Sequence, residues 1–253
     1  MVVQAGNESA AMPRVLITGA ARRVGAVCAQ YLHSRGCRIY IHYRSSEREA
    51  DRLCRKLNGQ RADSARIFQA DLLDLTQLQA MAEAVHSAWG GVDVLVNNAS
   101  AFYATKISAV TEGQWDDLLG SNLKAPFFLA KAFSRSLAEN NGSIVNIIDI
   151  HAQRGLQGFP VYSIAKAGLA AMTRVLAKEL APAVRVNAVS PGAILWPENE
   201  PGEEEKREIL TRVALRRSGS PEDIDKAVGF LIMEGDYITG QIIAVDGGRT
   251  LYC

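Results

Sequence analysis

Apolar residues along this chain follow two alternating rhythms. Short, nearly continuous apolar runs fall at 14–18, 38–42, 66–71, 92–96, 144–148, 184–190 and 241–245. A strand covered on both faces, as in a parallel sheet, reads in this way rather than as a strict in-out alternation. Between the runs lie stretches with a period near 3.6: from the Gly19–Gly25 turn to 32, then 47–58, 76–88, 114–137, 160–180 and 221–234. Pro182 closes the fifth of these, and Ser220 followed by Pro221 opens the last with a capping residue and a first-turn proline. Strands alternating with helices in this order predict an open α/β sheet of seven strands. The segment 194–220, with Trp196-Pro-Glu-Asn-Glu-Pro-Gly-Glu-Glu-Glu at its centre, breaks the rhythm after a strand. Such insertions at a strand's carboxyl end serve as substrate lids, and an acidic surface loop has the same composition.

Composition narrows the picture. With 253 residues, 48% of them hydrophobic, the chain suits one core, read as a domain over 13–253 behind a loose tail at 1–12. Lys and Arg total 28 against 27 Asp and Glu, so no overall basic field draws in nucleic acid and any phosphate binding must be local. Cys28, Cys37, Cys54 and Cys253 lack metal-ligand spacing, which predicts no metal and free thiols in a reducing cytoplasm. No apolar run reaches the length of a membrane span, and the first residues lack a signal pattern.

Candidate chemistry gathers where the strands end, the edge at which open α/β sheets bind ligands. After the first strand, Gly19 and Gly25 flank Arg22, Arg23 and Val24 at a helix start. Glycine lets backbone approach a pyrophosphate, and the free N–H groups of the first helical turn stabilise the anion. After the second strand stand Tyr43, Arg44, Ser45 and Ser46, with no acid before Glu47. Arginine and hydroxyls at that place match a ribose 2′-phosphate, favouring NADPH over NADH. Asp71, followed by Leu72, either accepts from an adenine amino group or caps the turn before helix 76–88. Asn97, Asn98, Ala99 and Ser100 follow the fourth strand, where amide side chains brace a turn and small residues admit a cofactor. Asn122, four residues before Pro126, points to a kink in the 114–137 helix with a bound water. Asp149 ends the fifth strand, and Tyr162 and Lys166, four apart, leave one face of one helix. A lysine ammonium beside a phenol is expected to lower the tyrosine pKa from about 10 toward working pH, making it a proton donor.

Taken together, Thr18-Gly19…Gly25, Asn97-Asn98-Ala99, Asn122, Tyr162-x-x-x-Lys166, Asn187 with Pro191-Gly192, and Asp246-Gly247-Gly248 resemble the short-chain dehydrogenase/reductase family over residues 13 to 250. That resemblance implies a single doubly wound Rossmann-type domain with a seven-stranded parallel sheet. Two departures from the general family, Arg23 in place of a second glycine and Asp149 in place of serine, are similar to the pteridine reductases. So are Asn98-Ala-Ser-Ala-Phe-Tyr103 and His42-Tyr-Arg-Ser45, and Pro191-Gly-Ala-Ile-Leu-Trp-Pro-Glu198 resembles the bacterial branch of that group. The resemblance implies NADPH held also by Tyr162, Lys166, Pro191, Gly192, Ala193 and Ile194, and a pterin or folate substrate. Phe102 is expected to stack on the pterin, with Arg23, Ser100, Asp149, Tyr162, Leu195 and Trp196 around it. Catalysis is expected from Asp149, Tyr162, Lys166 and Asn122, and a homotetramer through helices 114–137 and 160–180. A 3-oxoacyl or carbonyl reductase, and a non-catalytic NADPH-binding module, are the competing readings.

Overall fold

The computed structural model describes residues 12–194 and 202–252. Seven parallel strands form one sheet in the order β3-β2-β1-β4-β5-β6-β7. They are β1 (Arg14–Ile17), β2 (Arg38–Tyr43), β3 (Ala65–Gln69), β4 (Val94–Asn97), β5 (Ser143–Ile147), β6 (Arg185–Pro191) and β7 (Ile242–Val245). All seven expected strands are present, with no end shifted by more than two residues.

The helices cover both faces because successive strand residues point to opposite sides. Val15 and Ile17 pack with Ile39 and Ile41 against α1 (Arg23–Ser34), α2 (Glu47–Gln60) and α9 (Pro221–Met233). Leu16, Tyr40, Leu95 and Ile144 face the other way, against α3 (Leu75–Trp89) and α5 (Ala125–Glu139). On that side α7 (Pro160–Glu179) buries Leu169, Ala170 and Met172 with Ile148 and Ala188. Helices α1 and α9 approach so closely that a Cβ on Gly229 would lie 2.5 Å from Tyr31 Cε1.

The stretch expected as one helix over 114–137 is three pieces. Helix α4 (Glu112–Leu119) passes through a π turn, Gly120–Lys124, into α5. The kink expected near Asn122 is therefore a π bulge, a form common at functional sites. A short α6 (His151–Arg154) follows Asp149, and α8 (Glu203–Thr211) lies in the segment expected to be a lid. Asp74, not Asp71, caps α3, its carboxylate accepting from Thr76 N at 2.8 Å. Ser220 and Pro221 open α9 as expected, with Asp223 accepting from Ser220 N.

Candidate active site

Strand order reverses between β1 and β4, so the connections leaving them diverge and open a crevice at their carboxyl ends. The two ends are locked together: Thr18 Oγ1 accepts from both Asn98 N and Ala99 N at 2.9 Å, and Asn98 Nδ2 donates to Thr18 O at 2.8 Å. Gly19 sits at φ +62°, where a Cβ would come 3.1 Å from Ala99 Cα. Gly25 is more crowded, since a Cβ there would meet Gly19 O at 2.5 Å and Asn98 Nδ2 at 2.6 Å. Both glycines are thus required by close approach of other parts of the chain. Arg23 also has positive φ, +53°, at the first residue of α1, a conformation that costs a residue with a Cβ of the order of 1–2 kcal/mol. That strain is concentrated at the mouth of the crevice.

The cavity formed here has a volume of about 420 Å³. Its wall brings together Gly19, Arg22, Arg23, Val24 and Gly25 with Tyr43, Arg44, Ser45 and Ser46, then Asp71 and Leu72, and finally Asn98, Ala99 and Ser100. Residues from the ends of four strands, from Gly19 to Ser100, therefore share one wall. Asp71 lines it while accepting from Leu73 N at 3.1 Å, so its role at the turn is local and the helix cap belongs to Asp74.

Next to this cavity lies a polar cluster beyond β5. Tyr162 Oη donates to Asp149 Oδ2 at 2.9 Å, and Asp149 Oδ1 accepts from His151 N at 2.8 Å, which fixes the carboxylate. Tyr162 and Lys166 are both buried on the α7 face expected from their spacing. Lys166 Nζ donates to Ile147 O at 3.0 Å and lies 5.7 Å from the Tyr162 ring centroid. The π turn brings Asn122 into the same region. Its amide donates to Ala101 O at 2.9 Å and Leu118 O at 3.0 Å, and its oxygen accepts from Ser100 Oγ at 2.6 Å. Protein carbonyls thus satisfy both hydrogens of the Asn122 amide.

The electrostatics reverse one expectation. The Tyr162 phenol is pushed well above its ordinary value, first by burial and then by the negative charge and hydrogen bond of Asp149. Lys166 does not offset this; its Nζ is turned to Ile147 O. The lysine itself is pushed down to about 8 by burial, against the pull of Asp149. In this arrangement the resting Tyr162 is protonated, and Lys166 is the group that titrates near pH 8.

Phe102 is placed differently from a bare platform. Its ring stacks on Phe159 at 4.7 Å between centroids and 7° between planes, and meets Tyr162 edge-on at 4.8 Å. Phe159, just before α7, was not singled out from the sequence; an aromatic ahead of a helix gives no signal of its partner. Ser100 is committed to Asn122, and Asn97 is buried in the sheet, donating to Asn146 Oδ1 at 2.8 Å. Asn187 joins β6 to the approach of β7, donating to Ile238 O at 2.7 Å and accepting from Gln241 N at 3.0 Å. Pro191, Gly192, Ala193 and Ile194 leave the end of β6, where Gly192 packs on Asp246; Leu195 and Trp196 lie outside the described residues. No metal-binding group of three or more His, Cys, Asp or Glu occurs among the described residues. No described helix is long and apolar enough to cross a membrane.

This geometry coincides with similarity to known proteins. The family model described as Enoyl-(Acyl carrier protein) reductase matches residues 19–250. The chain belongs to the short-chain dehydrogenase/reductase family. Pteridine reductase 1 of Leishmania tarentolae is 35% identical to this reductase over 280 residues, covering 94% of this chain and 96% of the relative. The 3-oxoacyl-[acyl-carrier-protein] reductase FabG of Staphylococcus aureus is also 35% identical, over 237 residues, covering 92% and 96%. Among solved structures, a blue fluorescent protein from a metagenomic library in complex with NADPH superposes with a TM-score of 0.88 at 34% identity, covering 94% of this chain and 97% of the other. The chain is thus an oxidoreductase of this family, with Tyr162, Lys166 and Asn122 gathered beside its nucleotide-sized crevice.

Proposed function

We propose that this reductase is an NADPH-dependent pteridine reductase, transferring hydride to a C=N bond of an oxidised or dihydro pterin. The cavity suits NADPH. Gly19 and Gly25 let the turn pack tightly on Ala99 and Asn98, which sets the start of α1 against the cavity to receive a pyrophosphate, and Arg44, Ser45 and Ser46 offer charge and hydroxyls to a 2′-phosphate. Bound there, the cofactor would supply the hydride. Lys166 and Tyr162 would meet its ribose, and the Pro191–Ile194 segment would border the nicotinamide.

The observation that carries the substrate reading is the Asp149 carboxylate 2.9 Å from the Tyr162 hydroxyl. A ketone oxygen gains negative charge during reduction, and a fixed carboxylate beside the proton donor opposes that charge. A pterin instead presents N–H donors, with which a carboxylate pairs favourably while its ring nitrogen takes the Tyr162 proton. Phe102, supported from behind by Phe159, gives a flat aromatic surface for the heterocycle. The strained Arg23 is suited to reach both cofactor phosphate and pterin carbonyl. The equal identity to FabG keeps 3-oxoacyl reduction as a second reading, in which Tyr162 protonates the ketone oxygen.

Exposed Trp115, Phe127, Ile164 and Val175 on α4, α5 and α7 support association through those helices, as in a homotetramer. The free thiols Cys28, Cys37 and Cys54 suit a reducing compartment such as the cytoplasm.

NADPH oxidation measured against biopterin, dihydrobiopterin, dihydrofolate and acetoacetyl thioester separates the readings. Turnover of a pterin, lost by about a hundredfold or more in Asp149→Ser with NADPH affinity kept, is the expected result. Turnover of the thioester alone would overturn it.

A further inference from the structure

We propose that His42 is a positioning residue of the nucleotide cavity, a buried imidazole that clamps the Gly19 turn to the end of β3 and so presets the wall against which the cofactor lies. The proposal rests on the reading of that cavity as an NADPH site. Three pieces of the wall come from three adjacent strands: the Gly19 turn after β1, Arg44 to Ser46 after β2, and Asp71 with Leu72 after β3. Ladder hydrogen bonds end where the strands end, so something else must hold these three connections in register. Two backbone bonds help, from Ala20 N to His42 O at 2.9 Å and from Ala70 N to Tyr43 O at 3.1 Å.

The His42 ring closes the remaining gap. Gly19 N donates to Nδ1 at 3.1 Å, and Nε2 donates to Ala70 O at 3.1 Å on the opposite side. The ring is only 2% exposed, so both bonds are shielded from water. It follows that a single state fits: neutral, with the proton on Nε2 and a bare Nδ1 facing the glycine amide. Burial pushes His42 down to about 4, with the Ala70 bond and the Asp71 charge pulling the other way, so this state holds at neutral pH. Among the described residues Asp71, after β3, is the charged group whose field reaches the ring; the β1 side presents the backbone of Gly19 and Ala20.

An ordinary core position in β2 is filled by an aliphatic side chain, as at Ile39 and Ile41. A polar ring in the same strand is stable only because it satisfies a donor and an acceptor; the donor, Gly19, lines the cavity, and the acceptor, Ala70, directly precedes Asp71, which also lines it. Its bond takes the Gly19 amide while that residue stands at φ +62°, which fixes the orientation of the turn leading to Arg22 and Arg23.

The test compares wild type, His42→Ala and His42→Asn. Asparagine can place an acceptor oxygen near the position of Nδ1 but cannot also reach Ala70. Calorimetry with NADP⁺, kcat at saturating NADPH, amide exchange at Gly19 and two-bond proton–nitrogen spectra of the His42 ring are the readouts. We expect His42→Ala to weaken NADP⁺ binding by about tenfold to a hundredfold with kcat changed less than about threefold. His42→Asn, which keeps only the Gly19 end of the clamp, should recover at most part of that affinity, and Gly19 exchange should quicken in the alanine variant alone. The wild-type ring should show a bare Nδ1 from pH 5.5 to 8. Full recovery of affinity in His42→Asn, wild-type affinity in His42→Ala, or a proton on Nδ1 at neutral pH would each overturn the clamp. Should wild type bind no NADP⁺, the cofactor reading falls, while Gly19 exchange and the ring tautomer still decide whether the clamp exists. Should His42→Ala not fold, His42→Asn and the wild-type spectrum decide.

Discussion

Asp225 provides a quantitative test of the packing between α1 and α9. It is 1% exposed, on the α9 side that meets α1, and neither carboxylate oxygen has a hydrogen-bond partner among the described residues. Burial, then repulsion from Glu222, pushes its pKa from 3.8 to about 7. Nearby on α1, Cys28 is also pushed up, by burial first and the Asp225 charge second. Between the unfolded value and the folded one, the native state holds a proton that the unfolded chain has released. Asp225 therefore contributes a loss of stability as pH rises across that interval, complete once pH passes the folded value. A shift from 3.8 to about 7 is roughly three units, and at 1.36 kcal/mol per unit this amounts to about 4 kcal/mol. Asp225→Asn keeps the shape and polarity but cannot ionise. Its stability should match wild type near pH 4 and exceed it progressively, by about 4 kcal/mol at pH 8. For a chain of this size that corresponds to roughly 10 °C in melting temperature. Urea unfolding of both proteins from pH 4 to 8, at fixed protein concentration and without cofactor, measures the difference directly. Parallel curves would refute the reasoning, because they would mean that the carboxylate ionises in the fold as easily as in water. Wild type being the more stable at pH 8 would reveal a partner for the charge.

Two further predictions concern the reactive end and the cofactor. Lys166, lowered to about 8, carries its positive charge below that pH and loses it above. The kcat/KM for NADPH should therefore decline as pH rises through about 8, and Lys166→Ala should be slow with that break removed; a wild-type profile flat to pH 10 would refute the assignment. Arg44→Ala should reduce the preference for NADPH over NADH by about tenfold to a hundredfold, read from kcat/KM with each cofactor, and an unchanged ratio would remove Arg44 from 2′-phosphate recognition.

The pairing of Tyr162 with Lys166 was readable because helical periodicity alone puts residues four apart on one face. The strand-end positions of Gly19, Arg44, Asp71 and Asn98 were readable for a similar reason: where an apolar run stops, a parallel strand stops, and all parallel strands stop on the same side of the sheet. Asn122, four residues before Pro126, and Asp149, at a strand's end, were candidates by local pattern, and the resemblance to a family added the catalytic role expected of each. What stayed hidden were contacts between segments distant in sequence. His42 lies inside an apolar run and reads as core until the Gly19 and Ala70 groups on either side of it are placed. The Phe102–Phe159 stack and the Ser100–Asn122 bond join segments 57 and 22 positions apart, and no periodicity links them. The sign of the Tyr162 shift was misjudged because spacing reveals which residues are neighbours but not which is nearer, how deeply each is buried, or that a carbonyl engages the lysine.

By itself the sequence determined the succession of strands and helices, the edge of the sheet that carries the polar residues, and the identity of the groups gathered there. These follow from interactions within a few residues, where chain geometry leaves little choice. The tertiary structure alone decided the order of the strands, the π turn that delivers Asn122, the protonation states of His42, Tyr162 and Asp225, and the packing behind Phe102. Each of those depends on desolvation and on partners brought together across the sheet, and desolvation exists only once the chain has closed around the group.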